Sequence, residues 1–210
     1  MLLKMKNKSK LQILEILLLI LISFSPLLSN TVKAGVALLI VLINLKVFTN
    51  KINVKKFFLL LLLMGVFILS ALYDLRNVSS ISQYSILNLY FPFCFLLGYI
   101  ISEKYSYSEF LTLIEKIIFI AAIFSLIGVF IYTFLPNIIS YLPSYRYYHT
   151  SHKTAYIFNV ILGYGGNVVT RNAGIAWEPG AFQFLVNIGL YSYLKTTKKI
   201  NLFKISIYAI

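Results

Sequence analysis

Apolar residues in this chain come in long blocks. They follow neither the alternation of a half-buried strand nor the three-to-four spacing of a surface helix. Blocks at residues 11–28, 32–48, 57–73, 86–101, 117–135 and 181–194 are almost free of charge. A helix rises about 1.5 Å per residue, and a bilayer core of about 30 Å takes roughly 20 residues to cross. The blocks approach that length, and each predicts a transmembrane helix. Pro92 predicts a kink in the fourth, and Pro136 ends the fifth. A seventh apolar run opens at Ile205 and stops at Ile210, too short to span, so the sequence reads as the first part of a longer protein or a truncated reading frame.

The polar intervals are short with one exception. Residues 29–31 make a tight turn, 49–56 and 102–116 are lysine-bearing connections, 74–85 is a short polar loop, and 195–204 is again basic. The interval 136–180 is longer and carries Tyr141, Tyr145, Tyr147, Tyr148, Tyr156, His149, His152, Gly163, Gly165 and Gly166. A connection of that length in a compact protein is usually functional. Within it, residues 155–162 are apolar enough to dip into the interface or re-enter the membrane.

Composition narrows the class. The chain is 60% hydrophobic and 12% charged, with a mean hydropathy of +0.85, whereas soluble domains are about a quarter charged. A water-soluble globule is excluded. The expected fold is all-α: a polytopic transmembrane helix bundle with about six complete spans plus the start of a seventh. Residues 1–210 form a single integral membrane domain, and 136–180 are one large external loop. The first block follows Lys4, Lys6, Lys8 and Lys10, as a signal peptide would, but it is long for one and no small-residue cleavage site follows. It reads as a retained helix with a cytoplasmic N-terminus. Glu15 falls about one turn inside it, within reach of the headgroup layer. Cys94 is the only cysteine, so no internal disulfide forms.

The net charge of +13 would suggest nucleic acid in a soluble protein. Here the lysines sit in the short connections, as the positive-inside rule requires, and no nucleic-acid partner is expected. On the alternating topology the sixteen lysines lie inside except Lys33 and Lys153, while all three arginines, Arg76, Arg146 and Arg171, lie outside. The planar guanidinium fork grips phosphate or carboxylate at two points, which an ammonium does not. The sorting points to a phosphate-bearing ligand on the outer face. The plainer alternative is that the arginines anchor helices by pairing with Asp74, Glu178 or lipid headgroups.

The densest chemistry lies in Arg171-Asn172-Ala173-Gly174-Ile175-Ala176-Trp177-Glu178-Pro179-Gly180-Ala181-Phe182. Pro179 suits the first position of a helix and Glu178 the cap before it. The stretch resembles the RxxGxxxEPGxF signature of bacterial O-antigen polymerases and O-antigen ligases. The resemblance implies an all-helical membrane fold of ten or more spans with a large external loop. It also implies metal-independent, cofactor-free glycosyl transfer at the outer face of the plasma membrane, from a glycan on undecaprenyl pyrophosphate to a sugar hydroxyl. Arg171, Gly174, Glu178, Pro179 and Gly180 match the motif: Arg171 and Glu178 as catalytic candidates, Gly174, Pro179 and Gly180 as its structural part. In that family a second external region nearer the C-terminus carries further essential residues. The chain ends before it, so an incomplete, inactive enzyme is one expectation.

Arg76, Arg146, Trp177, His149, His152 and Lys153 are candidate substrate-binding residues on the strength of their own chemistry. A metal at the His149/His152 pair lacks a third ligand of the right type, and none is expected. The tyrosines either stack on sugar rings or form an interfacial aromatic belt. P-loop, nucleophile-elbow and metalloprotease motifs are absent from the sequence. Expected partners are a lipid-linked oligosaccharide, membrane lipids and other polysaccharide-assembly membrane proteins. The aromatic-rich composition favours polymerase over ligase. The rivals are a flippase or transporter of lipid-linked sugar, which the nearly charge-free mid-spans disfavour, and an accessory membrane subunit that docks a partner.

Overall fold

The computed structural model describes residues 2–24, 28–49, 53–75, 94–139, 141, 144–147, 150–154, 160–163, 171–172, 174–176 and 179–209, some by backbone alone. In chain order the helices are α1 (Leu2–Phe24), α2 (Asn30–Ile43), α3 (Lys46–Thr49) and α4 (Val54–Leu75). They continue with α5 (residues 94–104), α6 (Tyr107–Phe134), α7 (Pro136–Ile139), α8 (Pro179–Thr196) and α9 (Leu202–Ala209). Between α7 and α8 lie strands β1 (Ser144–Tyr147), β2 (Thr150–Thr154), β3 (Val160–Gly163) and β4 (Arg171–Asn172).

Helix starts follow local chemistry. Ser29 caps α2, its side chain accepting from the backbone N–H of Val32 at 3.3 Å. Asn53 does the same for Lys56 at the head of α4, and Asn201 for Phe203 and Lys204 at the head of α9. Each satisfies an amide that the first helical turn leaves without an intrahelical partner.

Among the described residues, one helical segment is long and apolar enough to cross a membrane: Tyr107–Ile131 of α6. Its charges, Glu109, Glu115 and Lys116, lie in the N-terminal part, and none follows before Phe134. The hydroxyls of Thr112 and Thr133 donate back to the carbonyls of Ser108 and Val129, each at 2.8 Å, so neither needs water. A shorter apolar helical stretch is Thr31–Ile43.

The chain divides into two compact units, Met1–Leu27 with Ser108–Ile210, and Leu28–Tyr107. In the first, Ile16, Ile20, Leu21 and Ile22 of α1 are buried, as are Ile117, Ile118, Ala121 and Ala122 of α6. On α8 the buried positions Phe182, Leu185, Gly189, Ser192 and Tyr193 recur every three to four residues and form one face. A Cβ on Gly189 would sit 2.7 Å from Cγ2 of Ile118 and 2.9 Å from Cε1 of Tyr208, so α8 approaches α6 and α9 closely at this point.

In the second unit, α4 and α5 run side by side. Phe57 meets Tyr99 edge-on with ring centroids 6.0 Å apart, and Phe67 meets Phe95 at 5.0 Å. At one end Lys56 Nζ lies 2.7 Å from Glu103 Oε1. Lys104 Nζ donates to Asn44 Oδ1 at 2.6 Å, and the Asn44 amide in turn donates to the carbonyl of Ile40, closing α2.

Three expectations change. The interval 102–116 is helix but for a break at Tyr105–Ser106. Hydropathy stops at the charged side chains of 107–116, whereas the backbone continues, with Leu111, Glu115 and Ile118, spaced i, i+4, i+7, buried on one side of it. Glu15 of α1 is buried within its unit. The all-α expectation holds for the apolar body and is amended within 136–180, where β1–β4 form a four-stranded antiparallel sheet in sequence order. Of residues 155–162, expected to dip into the interface or re-enter the membrane, 160–162 belong to its third strand, and 155–159 lie outside the described residues.

Candidate functional site

The motif region is built from the end of the sheet, a turn and the start of α8. Arg171 and Asn172 are β4, pairing with Leu162 and Ile161 of β3. The chain turns at Gly174, where φ is +52°. That left-handed conformation suits glycine because a side chain there crowds the backbone. A second constraint acts at the same atom. A Cβ on Gly174 would lie 2.6 Å from Cζ of Phe182 and closer still to Cε2 and Cδ2, so the ring occupies the space a side chain would need.

Ile175 and Ala176 follow at 1% and 0% exposure. They bury the turn while Phe182, one helical turn into α8, closes over Gly174. Helix α8 begins at Pro179, as the sequence predicts. Proline loses nothing at the first helical position, since that amide has no intrahelical partner. Glu178, which the sequence offers as the cap, lies outside the described residues. The helix closes with Lys195 in its last turn, the favourable sign at that end.

Four of the candidate residues lie in the sheet. Arg146 is in β1, His152 and Lys153 in β2, and Arg171 in β4. The register pairs Tyr145 with His152, His152 with Leu162, and Leu162 with Arg171. His152 and Arg171 thus share one row across the strands, whereas Arg146 and Lys153 fall in the rows to either side. Arg76, His149, Trp177 and Glu178 lie outside the described residues.

Sequence reasoning passes over two features. Phe182 closes the motif, although in the sequence it looks like one more member of an apolar block; its signal is its fixed place in the RxxGxxxEPGxF pattern. The other is a polar cluster at the opposite end of α8. Lys204 Nζ lies 2.8 Å from Glu115 Oε1, with the carboxylate side chain 9% exposed. The same ammonium sits over the rings of Phe119 and Tyr193, 4.7 and 5.2 Å from their centroids. The phenol of Tyr208 donates to the Glu115 carbonyl at 3.2 Å. Like the Lys56–Glu103 pair within the other unit, it joins residues that the alternating topology assigns to the cytoplasmic ends of helices.

Comparison with protein-family models, curated proteins and solved structures gives no match to this chain.

Proposed function

We propose that this chain is a multi-pass protein of the bacterial plasma membrane, N-terminus inside, that joins oligosaccharide units carried on undecaprenyl pyrophosphate at the outer face. The observation that carries the reading is the clasp of Gly174 by Phe182. It gives the glycine and the phenylalanine of RxxGxxxEPGxF a shared physical purpose: fixing a strand that begins with an arginine against a helix that starts at Pro-Gly. Multi-pass insertion is supported by the outward apolar side chains of α4, among them Phe58, Leu59, Leu62, Val66 and Leu69. Water would penalise such a face, and acyl chains would not.

The chemistry follows from the residues. An acceptor hydroxyl oxygen attacks the anomeric carbon of the donor while the bond from that carbon to the pyrophosphate oxygen breaks. The bonding pair leaves with the pyrophosphate, whose growing negative charge the Arg171 guanidinium stabilises. Glu178 takes the hydroxyl proton as general base. Two substrates anchored in one membrane plane meet at high effective concentration.

Alanine at Arg171 or at Glu178 tests the assignment in cells making the native polysaccharide. The expected result is loss of long chains, with the protein still present in the membrane fraction. An unchanged chain-length ladder would remove both residues from catalysis. Repeat units accumulating on the cytoplasmic side would point to transport instead.

A further inference from the structure

Lys204 is held as a bound cation is held. Its ammonium lies 2.8 Å from Oε1 of Glu115 and over two rings, 4.7 Å from the centroid of Phe119 and 5.2 Å from that of Tyr193. A carboxylate flanked by aromatic faces is the chemistry of a cation site. The acid supplies the opposite charge, and the negative ring faces add attraction while keeping water off. Glu115 and Phe119 belong to α6 and Tyr193 to α8, whereas the lysine comes from α9.

The walls are fixed by contacts that do not involve the ammonium. The Tyr193 hydroxyl donates to the carbonyl of Lys199 at 3.3 Å and accepts from the amide of Asn201, which ties its ring to the turn between α8 and α9. The Tyr208 ring meets Phe119 with centroids 5.9 Å apart, and its phenol holds the Glu115 carbonyl. Tyr208 also lies beside Gly189 of α8 and is 5% exposed, so α9 has an anchor besides Lys204.

We infer that Glu115, Phe119 and Tyr193 form a binding site for a primary ammonium group, which Lys204 fills as a tethered occupant and a free alkylammonium fills in its absence. The inference is independent of the function proposed above. The ligand class follows from the contacts. Glu115 Oε1 accepts an N–H at 2.8 Å, and a nitrogen wrapped in methyl groups has no N–H to give. Ring faces alone would take either kind of cation. An ammonium keeps further donors for water, and the lysine side chain, 31% exposed, gives them access to it. A lysine carried on α9 stands at an effective concentration that a dilute amine does not match, so the unaltered chain keeps its own occupant.

The test uses the full chain in nanodiscs of zwitterionic phosphatidylcholine, with propylammonium chloride as the probe and thermal unfolding as the readout. Propylammonium supplies the atoms that Lys204→Ala removes. It should raise the melting temperature of Lys204→Ala saturably and recover about half or more of the loss. For so small a ligand, half-saturation on the order of 10 mM is expected. Tetramethylammonium, propan-1-ol and sodium chloride at the same concentration should not do so. Neither the unaltered chain nor Lys204→Met, whose stem fills the space, should respond to propylammonium. Glu115→Gln combined with Lys204→Ala should weaken the response tenfold or more.

A second measurement needs no variant of the lysine and decides the matter if Lys204→Ala fails to fold. In the unaltered chain, acetylation followed by mass spectrometry should modify Lys204 at least tenfold more slowly than the exposed Lys198 and Lys199. Glu115→Gln should remove most of that protection. Lys204 reacting as fast as Lys198, tetramethylammonium matching propylammonium, or an undiminished response in the double variant would each overturn the inference.

Discussion

Gly174 lies directly under the ring of Phe182, at a backbone φ of +52°. Two demands fall on one residue, since the conformation favours a missing side chain and the ring fills the space where one would go. Gly174→Ala should therefore destabilise the protein by about 2–4 kcal/mol, combining overpacking with left-handed strain. Phe182→Ala in the same chain should recover the overpacking share and leave the backbone share. Thermal unfolding in detergent measures both. Recovery by Phe182→Ala separates the clasp from a general intolerance of the turn.

Gly189 gives a second prediction with an internal control. A Cβ there would press on Ile118 and Tyr208, whereas one on Gly65, within α4, meets nothing within 4 Å. Gly189→Ala is expected to cost about 1–3 kcal/mol. Gly65→Ala should be neutral or stabilising by about 0.5–1 kcal/mol, since alanine gives up less backbone freedom in a helix. The melting temperature should fall for Gly189→Ala and hold or rise for Gly65→Ala.

The Glu115–Lys204 pair predicts an asymmetry. The carboxylate side chain is 9% exposed and the lysine side chain 31%. Lys204→Ala strands an enclosed charge and should cost about 2–3 kcal/mol, discounted from a fully buried pair because the ammonium reaches solvent. Glu115→Gln leaves a cation that can turn to water and should cost less. A double-mutant cycle on the unfolding free energies reads the coupling directly; equal single losses with no coupling would mean the two groups act apart.

Sidedness follows from the proposed topology. With Cys94→Ser as background, a cysteine at Tyr141, which is 87% exposed, should react with a membrane-impermeant maleimide added to intact cells. Cysteines at Lys55 and Lys199 should react only after permeabilisation. Reversed labelling would place Arg171 on the wrong side for an exported polysaccharide.

The apolar body is legible because its signal is local. A charge-free stretch near 20 residues, a Ser or Asn ahead of it and a Pro at either end announce a helix without reference to the rest of the chain. The start of α8 at Pro179 is announced in this way. What stays hidden depends on partners distant in sequence. Tyr145-Arg146-Tyr147 alternates ring and charge, but nothing in it states that Tyr145 will pair with His152 or that Leu162 will stand beside Arg171. Glu15 and Glu115 look like surface charges because hydropathy scores a carboxylate without its surroundings. Both are buried, and for Glu115 the answer lies with Lys204 and Tyr208.

That last pairing sets a schedule for synthesis. Glu115 emerges from the ribosome 89 residues ahead of the lysine that neutralises it. At about 5–20 residues per second, the nascent chain holds a lone carboxylate at the head of its most apolar helix for roughly five to twenty seconds. On the topology proposed above, α6 can insert during that interval but cannot settle. The insertion machinery, or water at the interface, then shelters the acid until α9 delivers its counter-ion.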